Sequence, residues 1–156
     1  MNLKVKLLRE GAKVPRREHP TDAGADVFYC RDPHERNHCI GEKEEYWIGP
    51  KDSCVIPTGI KVEIPEGYML EAKNKSGMAS KRRLVVGACV IDAGYDGEIF
   101  INLHNLGHTT QKIFPGEKVA QLVLIPIETC GFVVTEEEIN TGSARGAGGF
   151  GSTGER

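Results

Sequence analysis

Apolar residues come in short bursts along this chain, and the bursts do not recur at helical spacing. Lys61-Val62-Glu63-Ile64 alternates polar and apolar positions, as a strand with one buried face requires. Ile99-Phe100-Ile101-Asn102-Leu103 is a second strand-like run. Val119-Ala120-Gln121-Leu122-Val123-Leu124-Ile125 is nearly all apolar, which predicts a strand buried on both faces. Turn-forming groups separate the runs: Pro57-Thr58-Gly59, Pro65-Glu66-Gly67, Asp96-Gly97 and Pro115-Gly116. The pattern predicts an all-β chain, a jelly-roll-like sandwich or barrel of short strands. One short helix is permitted inside Asn74–Arg83, beginning near Ser76 or Gly77, with Ser76 as its N-cap.

Length and composition sharpen this picture. The 156 residues suit one domain that can bury its own core, and 19 glycines with 8 prolines interrupt the chain too often for long helices. No internal repeat or linker divides residues 1–139, the expected β domain. Residues 140–156 lack aliphatic periodicity and are expected to form a flexible glycine-rich C-terminal lid, since burial there cannot offset ordering entropy. Residues 30–45 are charged and predict a surface loop. Twenty Lys and Arg against 22 Asp and Glu leave a net charge of −2, which argues against duplex nucleic acid as the main partner. No apolar run reaches bilayer length, and the N-terminus meets charge too early for a signal sequence. Five cysteines without a CxxC pair suggest a reduced, cytoplasmic protein.

Three segments carry candidate chemistry. In Val90-Ile91-Asp92-Ala93-Gly94-Tyr95-Asp96-Gly97 an apolar strand runs into an acid at a glycine-rich turn. Asp92 either caps that turn or serves as a general base on water. Asn74-Lys75-Ser76-Gly77 offers a cation and helix-start N–H groups to an anion, or else forms a capped connector with a solvated basic face. The tail Arg145–Gly154 has neither a Walker ending nor a following helix, so it matches no standard phosphate loop. It suits a lid in which Arg145 meets phosphate charge, Phe150 stacks on a ring, and main-chain N–H groups, Ser152 and Thr153 meet oxygens. Cys30, His34, His38 and Cys39 fit no structural-zinc spacing, and Cys54, Cys89 and Cys130 are expected in the core.

Thr21-Asp22-Ala23-Gly24-Ala25-Asp26-Val27, Ser76-Gly77-Met78-Ala79, the segment Val90–Gly97, Pro115-Gly116-Glu117-Lys118-Val119-Ala120-Gln121-Leu122 and the glycine-rich tail resemble, in order, the five motifs of trimeric dUTP pyrophosphatases (dUTPases). The resemblance implies a homotrimer with active sites shared between subunits. It implies Mg²⁺-assisted hydrolysis of dUTP to dUMP and pyrophosphate by water attack on the α-phosphorus, which limits uracil incorporation into DNA and supplies dUMP for thymidylate synthesis. Carried over by position, Asp92 is the base that activates water. Tyr95 packs on deoxyribose and leaves no room for a 2′-hydroxyl. Backbone at Cys89, Val90 and Ile91 pairs with uracil. Lys75, Ser76, Gly77 and Gln121 meet phosphate, Arg145, Phe150, Gly151 and Ser152 form the lid, and Asp26 supports the phosphate–metal region. Mg²⁺ is expected on phosphates and water rather than in a protein cage.

Lys75 stands where the family usually has arginine, so the bidentate fork is lost. Cys89 replaces a common glycine, and residues 30–45 look longer than the equivalent connection in compact members. The related dCTP deaminases share the architecture but lack the Asp-x-x-Tyr hairpin and the Arg-Gly-x-Gly-Gly-Phe-Gly tail. A regulatory module that engages a protein partner through residues 30–45 is compatible with enzyme activity.

Overall fold

Among the described residues of the computed structural model (1–34, 40–42, 44–139, 142–144 and 146–147), short strands dominate and one helix interrupts them. Their order is β1 (Lys4–Leu7), β2 (Ala25–Phe28), β3 (Tyr46–Ile48), β4 (Ser53–Pro57), β5 (Ile60–Glu63), β6 (Tyr68–Lys73), α1 (Ser76–Arg82), β7 (Leu84–Val86), β8 (Val90–Ile91), β9 (Phe100–Asn105), β10 (Gln111–Ile113) and β11 (Lys118–Pro126). All pairings are antiparallel, in sheets ordered β2-β11-β6-β8 and β4-β9-β7, with two further pairs, β1-β5 and β10-β3. Side chains from the two larger sheets, including Val27, Leu70 and Leu122 from one and Ile56, Ile101 and Leu103 from the other, meet in one apolar cluster. This is the expected β-sandwich of jelly-roll type with a single short helix.

Strand alternation follows the sequence pattern closely in β9, where Ile101, Leu103 and Asn105 are buried and Phe100, Asn102 and His104 face outward. Asn105 can be buried because its amide donates to the carbonyls of Ile48 and Thr109 while its oxygen accepts from Gly107 N–H. The turn between β4 and β5 needs Gly59, which sits at φ +70° with no room for a Cβ, since Ala12 and the Cys30 thiol lie 2.8 and 2.9 Å from where one would stand.

Three expectations are corrected. β11 is not buried on both faces: Val123, Leu124 and Ile125 are only half-buried, and of the three Leu124 packs against the core cluster. Ser76 is the first helical residue rather than the cap; Lys75 occupies the N-cap position in extended geometry and makes no side-chain cap bond. Of the three cysteines expected in the core, Cys54 is buried, Cys89 is half-buried at a loop before β8, and Cys130 is exposed beyond β11.

Candidate active site

Of the basic residues at the end of α1, Lys81 and Arg83 are exposed and Arg82 is tied to the body of the protein. Arg82 donates to Gln111 Oε1 at 3.1 Å, to Glu117 Oε2 at 3.0 Å and to the carbonyl of Lys112, and it lies one turn beyond the buried Met78 on the same face, 3.7 Å from its sulfur. The helix start is fixed as well. Lys75 forms an ion pair with Asp26 Oδ1, and Lys118 holds the other carboxylate oxygen at 2.8 Å while also reaching Glu18 at 3.0 Å. Burial would push the Asp26 carboxyl up, but the hydrogen bonds from Lys118 and Lys75 outweigh it and hold the group below its usual 3.8. Asp26 pairs in register with Gln121, whose amide donates to the Asn74 carbonyl at 2.9 Å. Asn74 in turn accepts from Val86 N–H through its side-chain oxygen at 2.6 Å. Gly24 completes the cluster, because the Gln121 side chain fills the space a Cβ would occupy. Asp26, Lys75, Ser76, Gly77 and Gln121 are therefore brought to one end of the four-stranded sheet.

A second group forms around β8. Val90, Ile91, Asp92 and Tyr95 line a cleft of about 200 Å³ together with Ala88, Glu98, Ile99 and Phe100. Cys89 sits at its root, its carbonyl accepting from Ala72 N–H at 2.8 Å. Asp92 is exposed just beyond the strand. Tyr95 N–H donates to the Asp92 carbonyl at 3.2 Å, and the Tyr95 hydroxyl donates to the Glu98 carbonyl at 2.9 Å. The ring lies across Gly97, with Cζ 2.5 Å from where a Cβ would stand, so the second glycine of the turn leaves room for the aromatic face.

The two groups stay apart within one protomer. Ile91 is level with Leu70 of β6, so Asp92 continues toward Met69, whereas Gln121 is level with Lys73. Four strand residues and two strand spacings separate them, about 16 Å. Arg145, Phe150, Gly151 and Ser152 lie outside the described residues, as do His38 and Cys39. Pattern reading missed Lys118 and Asn74 as partners of the phosphate motif; Lys118 stood inside a quoted motif, but only the fold shows which acid it meets. It also missed Arg9, whose guanidinium grips Glu98 behind the cleft and whose pKa is raised chiefly by that hydrogen bond.

A dUTPase family model matches residues 40–154 of the chain. This chain belongs to the dUTPase family. It is 41% identical over 150 residues to a deoxyuridine 5'-triphosphate nucleotidohydrolase of Chlamydia trachomatis, covering 95% of both chains. A protein of that name from Clostridium tetani is 39% identical, with 98% of this chain and 97% of that one covered. Among solved structures, the Staphylococcus bacteriophage 80alpha dUTPase with dUPNHPP superposes with TM-score 0.82 at 34% identity, covering 98% of each chain. A mutant dUTPase of the S. aureus phage phi11, whose structure reveals the coordination of a structural Mg(II) ion, gives TM-score 0.75 at 32% identity over 90% of this chain and 100% of its own. No described helix of this dUTPase is long and apolar enough to cross a membrane.

Proposed function

We propose that this dUTPase hydrolyses dUTP to dUMP and pyrophosphate at sites completed between subunits of a homotrimer. Asp92 supplies the base, and the Gln121–Lys75–Ser76 end of another protomer supplies the phosphate ligands. The observation that carries this is the separation of about 16 Å between the two groups in one chain, set by strand register. A base must stand within hydrogen-bond reach of the water it activates, so a phosphate held at Gln121 of the same protomer is beyond Asp92. Extended, exposed chain at Phe132, Val133 and Val134 (90–97% exposed) supports subunit exchange of contacts, as large apolar side chains seldom stay in water without a partner.

Each role follows from local geometry. Uracil meets the outer edge of β8 beside Cys89, Val90 and Ile91, where no described strand pairs; the Cys89 carbonyl is taken by Ala72 N–H, and Val90, the residue between, turns its N–H and C=O groups outward to pair with the base as a strand would. Tyr95, braced by Gly97 and the Glu98 carbonyl, presents its face to deoxyribose and excludes a 2′-hydroxyl. Lys75 neutralises phosphate charge, with Asp26 and Lys118 setting its position. Arg145 and Phe150, with Gly151 and Ser152, close over the nucleotide. Both Asp26 oxygens are taken by lysines. Mg²⁺ in this reading is carried by phosphates and water, where it offsets their charge.

Asp92→Asn tests the reading. It should bind a non-hydrolysable dUTP analogue with unchanged affinity while turnover falls at least about a hundredfold, the usual worth of a positioned base. Product analysis with dUTP, dCTP, dTTP and UTP in the presence of Mg²⁺ supplies the assay; retained turnover in the variant would remove Asp92 from the mechanism.

A further inference from the structure

Tyr95 and Asp92 sit on an exposed turn, yet their work demands fixed positions. One tie to that turn, Lys61 to Asp96 at 2.8 Å, is largely in solvent and contributes little. The other is buried. Arg9, at the end of the N-terminal strand region, meets Glu98 with both terminal guanidinium nitrogens, at 2.7 and 2.5 Å, and the two side chains are only 16% and 11% exposed. Gly59 N–H adds a third hydrogen bond to the same carboxylate at 2.7 Å. Glu98 faces two ways: its side chain is held by Arg9 and Gly59, while its carbonyl receives the Tyr95 hydroxyl at 2.9 Å. Arg9 uses two further donors on the carbonyls of Arg31, at 3.0 Å, and Cys30, at 3.2 Å, at the start of the charged segment.

We infer that Arg9 and Glu98 are positioning residues for sugar selection: the buried pair fixes the Glu98 carbonyl, which fixes the Tyr95 ring against the sugar. A bidentate, charge-assisted pair is suited to this because it resists rotation as well as separation. The inference rests on the reading of Tyr95 as the deoxyribose platform. Loosening the pair should therefore not act on all nucleotides alike. A ring free to swing admits the 2′-hydroxyl that it normally excludes, so discrimination falls along with rate.

The test compares kcat/KM for dUTP and UTP in the full-length enzyme. Arg9→Met keeps the bulk of the side chain and removes the fork; the dUTP:UTP ratio should drop about tenfold, with Arg9→Lys recovering part of it. Val62→Ala, a truncation in the buried core, should lower Tm and leave the ratio unchanged. A wild-type ratio in Arg9→Met, assayed below its Tm, overturns the inference and leaves the pair a purely structural one. Should Arg9→Met not fold, Glu98→Gln carries the same comparison, and an unchanged ratio there is equally decisive. Absence of dUTP hydrolysis by the wild-type enzyme would instead overturn the underlying site reading.

Discussion

Asp26 shows how one residue can be costly to bury and still be useful. It is only 6% exposed, and its carboxylate stays charged because Lys118 and Lys75 each hold an oxygen. Since its pKa in the folded protein lies below the usual 3.8, its contribution to stability is complete above that value and is lost as pH falls through the folded one. Asp26→Asn should consequently be less stable than wild type at about pH 6, and the Tm gap should narrow steadily as the pH drops below about 4. Thermal melts of both proteins across that range read this directly; a gap that stays constant would mean the carboxyl binds protons alike in the folded and unfolded states and so is not held below its usual value. Lys75, the departure from the family's arginine, makes a single-point contact here where arginine would make a fork. That charge was legible in the sequence. Its partner was not, because 49 residues separate Lys75 from Asp26 and only the pairing of β11 with β2 and β6 brings them together.

At the scale of elements, the strands were readable because alternation is a local property, and β5 and β9 keep it faithfully. β11 misled for a physical reason. A run of apolar residues looks buried on both faces whatever covers it, and here Val123 to Ile125 are only half-buried among the described residues, although Leu124 packs against the core. The cap of α1 misled differently: Ser76 had the right chemistry for an N-cap, but the ion pair to Asp26 draws Lys75 into that position. Segment 87–89, which leads into the β8 cleft, depends on a glycine that no strand pattern would mark. Asn102 accepts from Ala88 N–H at 3.3 Å and meets His104 at 2.9 Å, and both side chains occupy the space beside Gly87, with His104 Cδ2 2.6 Å from a Cβ position. Gly87→Ala should therefore destabilise the protein by about 1–3 kcal/mol through forced displacement of Asn102 and His104. Chemical denaturation gives that number; a change within error would show that the segment shifts freely.

For the whole molecule, the exposed residues Phe132 to Val134 and the half-buried end of β11 are apolar surface that the proposed trimer would cover. Replacing Phe132 and Val134 together by serine should raise the concentration at which the assembly dissociates by at least about tenfold, as loss of apolar anchors does at interfaces. Light scattering on dilution follows this, and an unaltered dissociation profile would place the subunit contacts elsewhere. The distance between Asp92 and Gln121 has a consequence for inheritance. If each site takes its base from one subunit and its phosphate ligands from another, a damaged copy does not damage only itself. It lends its intact half to a neighbour. Two individually dead proteins, one lacking Asp92 and the other lacking Gln121, should regain part of the activity when they are unfolded, mixed and refolded together. Two defective alleles of this gene in one cell could then complement each other.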